Sequence, residues 1–351
     1  MARLHYAPIW QMVRSKLLRR DVQPLRAVAE RSWEIAPRHA APRARAVYLP
    51  GQLERVTGCP FQTWHPRREM ESGEVVEHDP TVAHLIRDAV LLDGAVYKGW
   101  AADHLHPRLR SRFDVRIDQE VDRGALFCSQ PGNKWFGNWL MDDCPTYLLA
   151  AEEGQPVATA QPEEPHTAAY ERRLGMSPQR HAATLFRELV VFDDRTQNRS
   201  KHGRCREIRA KLLGPHEPSQ HAGVFILRGR SGARRVLVNE MELAERLRER
   251  RGFRVIDPMQ LEVDQIIAAC AGARVVVGVE GSGLIHGLQL LDRGGALVAL
   301  QPPHRFVCVY KDLTDRDDQI FAFVVGSREG EDFRIDPEEL ERTLDLLPKP
   351  T

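Results

Sequence analysis

The stretch Ala273–Pro302, reading ARVVVGVEGSGLIHGLQLLDRGGALVALQP, constrains the fold more than any other part of the chain. Arg274–Val279 is a β-branched apolar run, too short for a helix and without polar alternation, as a parallel strand buried on both faces requires. Gly281-Ser282-Gly283 follows at once. Leu284, Ile285, Leu288, Leu290 and Leu291 then recur at helical spacing, and Gly294-Gly295 leads into a second buried run, Ala296–Leu300. The order is strand, glycine turn, helix, strand. Such a turn lets the backbone approach a ligand while the helix amides point at it, so the expected guest is a phosphate or diphosphate held near Gly281, Ser282 and Gly283.

Upstream, Gly223–Leu227, Asn239–Arg251, Phe253–Ile256 and Val263–Ala271 read as strand, helix, strand and helix. With the Ala273–Pro302 stretch they form the pattern of a doubly wound α/β sheet, whose ligands bind beyond the carboxyl ends of the strands. Beyond Pro302 the pattern predicts a polar loop at Asp312–Asp318, a strand Ile320–Val325 and a helix near Pro337–Leu347. In the first half, Ala95–Tyr97, Ala125–Cys128, Val157–Ala160 and Leu189–Phe192 are short apolar runs separated by helix-length stretches, which predicts another α/β layer structure. Arg199–Leu213 reads as a helix stopped at Gly214-Pro215. The expected division is a basic helical segment and connector over 1–45, an α/β domain over 46–215, a ligand-binding α/β domain over 216–330 and a helix over 331–351. Gln161–Pro165 is the one compositionally biased segment.

At 351 residues, 42% of them hydrophobic, two domains of ordinary size can fill their cores. The net charge of +1, from 50 basic and 49 acidic residues, gives no global field for nucleic acid. The six cysteines show no C-x-x-C spacing, and several lie in apolar runs, so buried thiols in a reducing cytoplasm are expected rather than zinc or disulfides. No apolar run reaches the ~18 residues of a membrane span. Residues 1–20 carry five Arg or Lys and no acid, interleaved with Ile9, Trp10, Met12, Val13, Leu17 and Leu18. Two readings fit them: an amphipathic helix making peripheral contact with an anionic inner membrane face, or a helix docked on its own domain.

Three groups of residues carry candidate chemistry. Arg228, Arg230, Arg234 and Arg235 fall within eight residues after the strand Gly223–Leu227, and guanidinium groups bind phosphate bidentately; a solvated basic loop is the plainer reading. Asn239 with Glu242 three residues on resembles a capping box, which would leave Glu240 free for a ligand. In the glycine turn, Ser282 suits a helix cap, and His286, four residues on, would share its face. The third group is Asn138-Trp139-Leu140-Met141-Asp142-Asp143, where adjacent acids raise one another's pKa and can hold a base. Its plainer reading is an aromatic core patch with acids in a first helical turn. A G-x-S-x-G elbow would need Gly at 280 and 284, where Glu280 and Leu284 stand, and a dinucleotide site would want an acid where Gln301 stands, so hydrolase and NAD-type oxidoreductase readings lose support. Asp193-Asp194 and Asp315-Arg316-Asp317 mimic metal-binding pairs, but no metal site is expected.

In order, Asn138-Trp139-Leu140-Met141-Asp142-Asp143-Cys144-Pro145, Leu227-Arg228, Arg235-Val236-Leu237-Val238-Asn239-Glu240 and Gly278-Val279-Glu280-Gly281-Ser282-Gly283-Leu284 resemble the pattern of glycosyltransferase family 61, the capsular polysaccharide biosynthesis type. The family has His where Asn138 and Glu280 stand. The resemblance covers about 125–302. It implies two Rossmann-like domains in a GT-B architecture, with the acceptor in the N-terminal half and the nucleotide-sugar in the C-terminal half. It also implies an inverting transfer from a nucleotide-diphosphate sugar, UDP-linked, to a glycan or lipid-linked glycan, with no cofactor or metal. Asp142 is then the expected base, with Glu280 and His286 as other catalytic candidates. Arg228, Arg230, Arg235, Gly281, Ser282 and Gly283 would hold the diphosphate, Asn239 and Glu240 the donor or the local fold, and Asn138, Trp139 and Asp143 the acceptor. A catalytically inactive relative that binds a nucleotide-sugar or a partner is the alternative.

Overall fold

The computed structural model describes residues 3–17, 19, 21–107, 116–160, 166–215, 218–230, 232 and 234–348. The biased segment Gln161–Pro165 lies outside them. The chain is mixed α/β and forms two compact units, one of residues 1–39 with 79–204 and the other of 40–78 with 205–351. The division falls inside the helix Arg199–Leu213.

The first unit is built on an eight-stranded sheet in the order Gln179–His181, Pro156–Thr159, Gln119–Leu126, Ala183–Asp193, Thr81–Leu92, Ala95–Lys98, Ala101–His104, with Arg31–Ala36 also paired to Thr81–Leu92. The sheet is mixed rather than wholly parallel. Ala183–Asp193 runs parallel to Gln119–Leu126 on one side and antiparallel to Thr81–Leu92 on the other. The carboxyl ends of Gln119–Leu126 and Ala183–Asp193 therefore emerge side by side, and the segments that follow each strand meet there.

The second unit holds a five-stranded sheet, parallel throughout, ordered Arg254–Ile256, Val224–Ile226, Val275–Val279, Ala296–Gln301, Ile320–Val325. By position in the unit this is second, first, third, fourth, fifth, a doubly wound order whose switch point lies between the first and third strands. Phe225, Val277, Val298 and Ala322 form one row across the sheet, all fully buried. Each larger side chain in that row contributes about 1.5–3 kcal/mol by burial, which fixes the register. Val47 also belongs here: its amide donates to Phe321 O at 2.9 Å and its carbonyl accepts from Phe323 N at 3.2 Å.

Two local expectations are corrected. Asp312–Asp318 is not a loop, since Val309–Arg316 is a helix whose Tyr310, Leu313 and Thr314 are buried and whose Lys311 pairs with Asp315 one turn on. Its polar composition hid an apolar stripe. Asn239 does not cap the helix Glu240–Arg251 with its side chain; the amide instead donates to Ile335 O at 2.9 Å and accepts from Ile335 N at 3.3 Å.

Candidate functional site

In the second unit, the loop after Val224–Ile226 and the turn after Val275–Val279 leave the sheet on either side of the switch point. Glu280 ends the latter strand, is 2% exposed and receives Arg235 Nε on Oε1 at 2.5 Å and Arg305 Nε at 3.1 Å. Arg235 Nε also donates to Glu280 O at 3.1 Å. Burial holds the Arg228 and Arg235 guanidiniums below their ordinary pKa, with the Glu280 charge acting the other way and the two cations facing one another. Three guanidiniums around one carboxylate leave a surplus of positive charge in a poorly solvated place, and such a place favours an anion. A cavity of about 380 Å³ opens beside them, lined by Arg228, Arg230, Arg234, Arg235 and Asp332 among others. Arg234 is spent on Asp332, 3.2 Å away, and Glu331, 3.0 Å away.

Gly281 is fixed by two contacts. Its amide donates to Tyr310 Oη at 2.6 Å and its carbonyl accepts from the same hydroxyl at 2.8 Å. Its φ is +148°, and a Cβ there would lie 2.3 Å from Arg228 Nη1, so any other residue would drive the guanidinium away.

The helix expected after this turn is shorter than its leucine spacing implies. Ser282–Leu284 is a 3-10 turn, and only Ile285–Leu288 is α-helical. Gly281, not Ser282, stands at the cap position, and no side chain caps it. So short an element has little dipole to offer, and Arg side chains carry the positive potential instead. Gly283 faces open space, Ser282 is half-buried, and His286 is buried within the short helix rather than among the residues lining the cavity. Residues four apart share a face at 3.6 residues per turn, whereas the segment from Ser282 to His286 begins at three. Glu240 is not free for a ligand: its two oxygens accept the amides of Arg228 and Gly229, each at 2.8 Å, which shapes the Arg loop.

In the first unit, Trp139–Asp143 is a π-helical stretch between Phe136–Asn138 and the helix Cys144–Glu153. Such bulges turn side chains out of α register and occur often at functional sites. Asp142 accepts Asn138 Nδ2 on Oδ2 at 3.1 Å and Lys201 Nζ on Oδ1 at 2.6 Å. Lys201 is fully buried and also donates to Asp194 O at 2.7 Å. Asn198 places it, capping the helix Arg199–Leu213 through the Lys201 amide at 3.0 Å.

Asp143 points elsewhere. It is 2% exposed and accepts the Ser129 amide at 3.0 Å and hydroxyl at 2.7 Å. Burial pushes its carboxyl up to about 8, against the Ser129 hydrogen bonds and with the neighbouring Asp142 charge adding to the rise. Of the two adjacent acids, Asp143 is the one that burial raises. Gly132 lies under it, where a Cβ would fall 1.8 Å from Asp143 Oδ2. Trp139 packs against Phe136 and Tyr170 beside a pocket of about 60 Å³ that Trp135, Glu171 and Arg180 also line.

The acid pairs are likewise engaged. Asp194 holds Arg204 through two bonds of 2.7 Å; burial raises its carboxyl, but the bonds and charges of Arg204 and Lys201 outweigh this and hold it low. Asp315 holds Lys311, and Asp317 holds Arg316. Among the described residues no group of three or more His, Cys, Asp or Glu is placed to hold a metal ion.

Residues 136–294 match the family model Glycosyltransferase 61. The match supports a glycosyltransferase, which binds a sugar donor and a glycan acceptor. No curated protein matches the chain. The Glycosyltransferase 61 region begins at Phe136, takes in Asn138, Asp142 and Lys201, and runs past the Arg loop and Gly281. Arg305 and Tyr310 fall beyond it, and sequence reasoning missed both. Their only signal is position, in the segment after a strand whose carboxyl end already faced the site. Lys201 was missed because its partner is 59 residues away in sequence.

Proposed function

We propose that the chain is an inverting, metal-independent glycosyltransferase of GT-B architecture, moving a sugar from a UDP-linked donor to a glycan acceptor in cell-surface or capsular polysaccharide synthesis. The observation that carries this reading is the cluster of Arg228, Arg235 and Arg305 about Glu280 and Gly281, beside the cavity at the switch point of the parallel sheet. The family match adds the reaction class.

In this reading the second unit binds the donor, with its diphosphate against Arg228, Arg230 and Arg235. The acceptor hydroxyl attacks the anomeric carbon and gives its proton to the Asp142 carboxylate. The bond from carbon to phosphate oxygen breaks, and the electron pair leaves on the nucleoside diphosphate, whose growing charge the guanidiniums stabilise. Asn138 and Lys201 hold the Asp142 carboxylate in one orientation.

A second reading, donor binding without transfer, draws on a specific observation: Asp142 is tied to a buried cation, which weakens it as a base, and Asn138 stands where the family has His. A panel of nucleotide-sugars separates the two. Slow donor hydrolysis with a thermal shift supports transfer. A shift without any turnover, alone or with glycan acceptors, supports binding only, and a shift with NAD alone overturns both.

A further inference from the structure

The helix Ala7–Leu17 is used by neither candidate site, yet it presents two distinct faces. Ala7, Pro8 and Gln11 are buried, and Ala7 packs into a core with Val90, Leu92 and Tyr97 of the eight-stranded sheet. Of the two sequence readings, the helix takes the one docked on its own unit. It also presents a face outward. Tyr6 and Trp10, four residues apart, are 50% and 55% exposed, and Trp100, from the turn between Ala95–Lys98 and Ala101–His104, is 47% exposed. Trp100 meets Trp10 edge-on, with ring centroids 6.4 Å apart, and the Arg14 guanidinium lies 5.2 Å over the Trp100 ring. The only other large hydrophobic side chain exposed among the described residues of this unit is Trp135, so the clustering is not a general property of its surface.

Charge tells what covers this face. Residues 1–20 contain five basic residues and no acid. Among the described residues neither Arg14 nor Arg19 meets a carboxylate, and Arg14 Nε has no hydrogen-bond partner. Arg87, Arg123 and Arg187 of the same unit all do. Bulky aromatic rings with unpaired cations complement a surface that is uniformly negative outside and apolar just beneath, which describes a lipid bilayer better than a protein surface of mixed sign. Indole and phenol rings settle at the headgroup level, and each nearby cation gains from anionic lipid. We propose that this face docks on an anionic membrane surface, with Trp10, Trp100 and Tyr6 at the headgroups and Arg14 and Arg19 against lipid phosphates. The inference does not depend on the transferase reading.

The test is co-sedimentation of the full chain with vesicles of phosphatidylcholine alone and of phosphatidylcholine with phosphatidylglycerol at about 3:1. Binding is expected to the anionic vesicles only. Arg14→Gln should weaken it about fivefold, the equivalent of ~1 kcal/mol for one cation. The double variant W10A/W100A should weaken it at least about tenfold, and R14Q/R19Q carries the test if the tryptophan variant fails to fold. Absence of binding to anionic vesicles, or undiminished binding by both folded double variants, overturns the proposal. A dimer that W10A/W100A abolishes, seen by light scattering with no lipid binding, overturns it too and assigns the face to a second copy.

Discussion

Asp142 and Asp143 are neighbours in sequence with separate roles, because successive side chains on a helix diverge by roughly a quarter turn. Asp142 meets Asn138 and Lys201, whereas Asp143 is sealed over Ser129. If Asp142 is the base, Asp142→Asn should lower turnover by about 10²–10⁴-fold while donor affinity stays nearly unchanged, since the base acts on the acceptor. Normal turnover by this variant, with Glu280→Gln inactive, would move the base to the second unit. Asp143 yields a different expectation. Its folded pKa lies above that of an unfolded aspartate, so the stability it contributes is complete below about pH 4 and lost as pH rises toward about 8. The melting temperature should fall over that window, and Asp143→Asn should flatten the fall; an equal fall in both proteins would show that Asp143 is ionised in the fold. Neither the Asp142 to Lys201 pair nor the Glu280 to Arg305 pair was legible, because no spacing rule links partners 59 and 25 residues apart.

At the scale of elements, the strands of the second unit could be read closely because all but the edge strand Arg254–Ile256 are buried on both faces, and Ile320–Val325 has the bounds its sequence predicts. Turns and caps were harder. Asn239 and Ser282 each fit a local capping rule that leaves Glu240 free, but tertiary partners take Asn239 and Glu240, and a 3-10 turn displaces Ser282. What the glycine turn does is aim a guanidinium. Gly281→Ala would place a methyl 2.3 Å from Arg228 Nη1 at φ +148°, adding backbone strain of about 1–3 kcal/mol and displacing the cation. Both Gly281→Ala and Arg228→Ala should weaken nucleoside-diphosphate binding, the latter by about 1.5–3 kcal/mol, the range for a hydrogen bond to a charged group. Calorimetry on folded variants checks this, and an unchanged dissociation constant for Arg228→Ala would place the anion elsewhere.

At the scale of the whole molecule, the near-zero net charge conceals a sharp local asymmetry. Around Glu280, the guanidiniums of Arg228, Arg235 and Arg305 leave a surplus of positive charge even with the nearby Glu240 carboxylate counted, and burial strips Arg228 and Arg235 of the water that would otherwise screen them. In transfer from a diphosphate, the barrier is lowered chiefly by stabilising the charge that grows on the leaving group, and fixed guanidiniums already in place need not reorganise to do so. They can therefore supply the neutralisation that a divalent cation provides in other phosphate chemistry. Two outcomes follow. Turnover should persist after treatment with EDTA, and donor affinity should weaken modestly as salt rises, because partly buried charges are screened less than exposed ones. Recovery of EDTA-lost turnover on adding Mn²⁺ or Mg²⁺ would show that a metal, rather than this arginine cluster, carries the leaving-group charge.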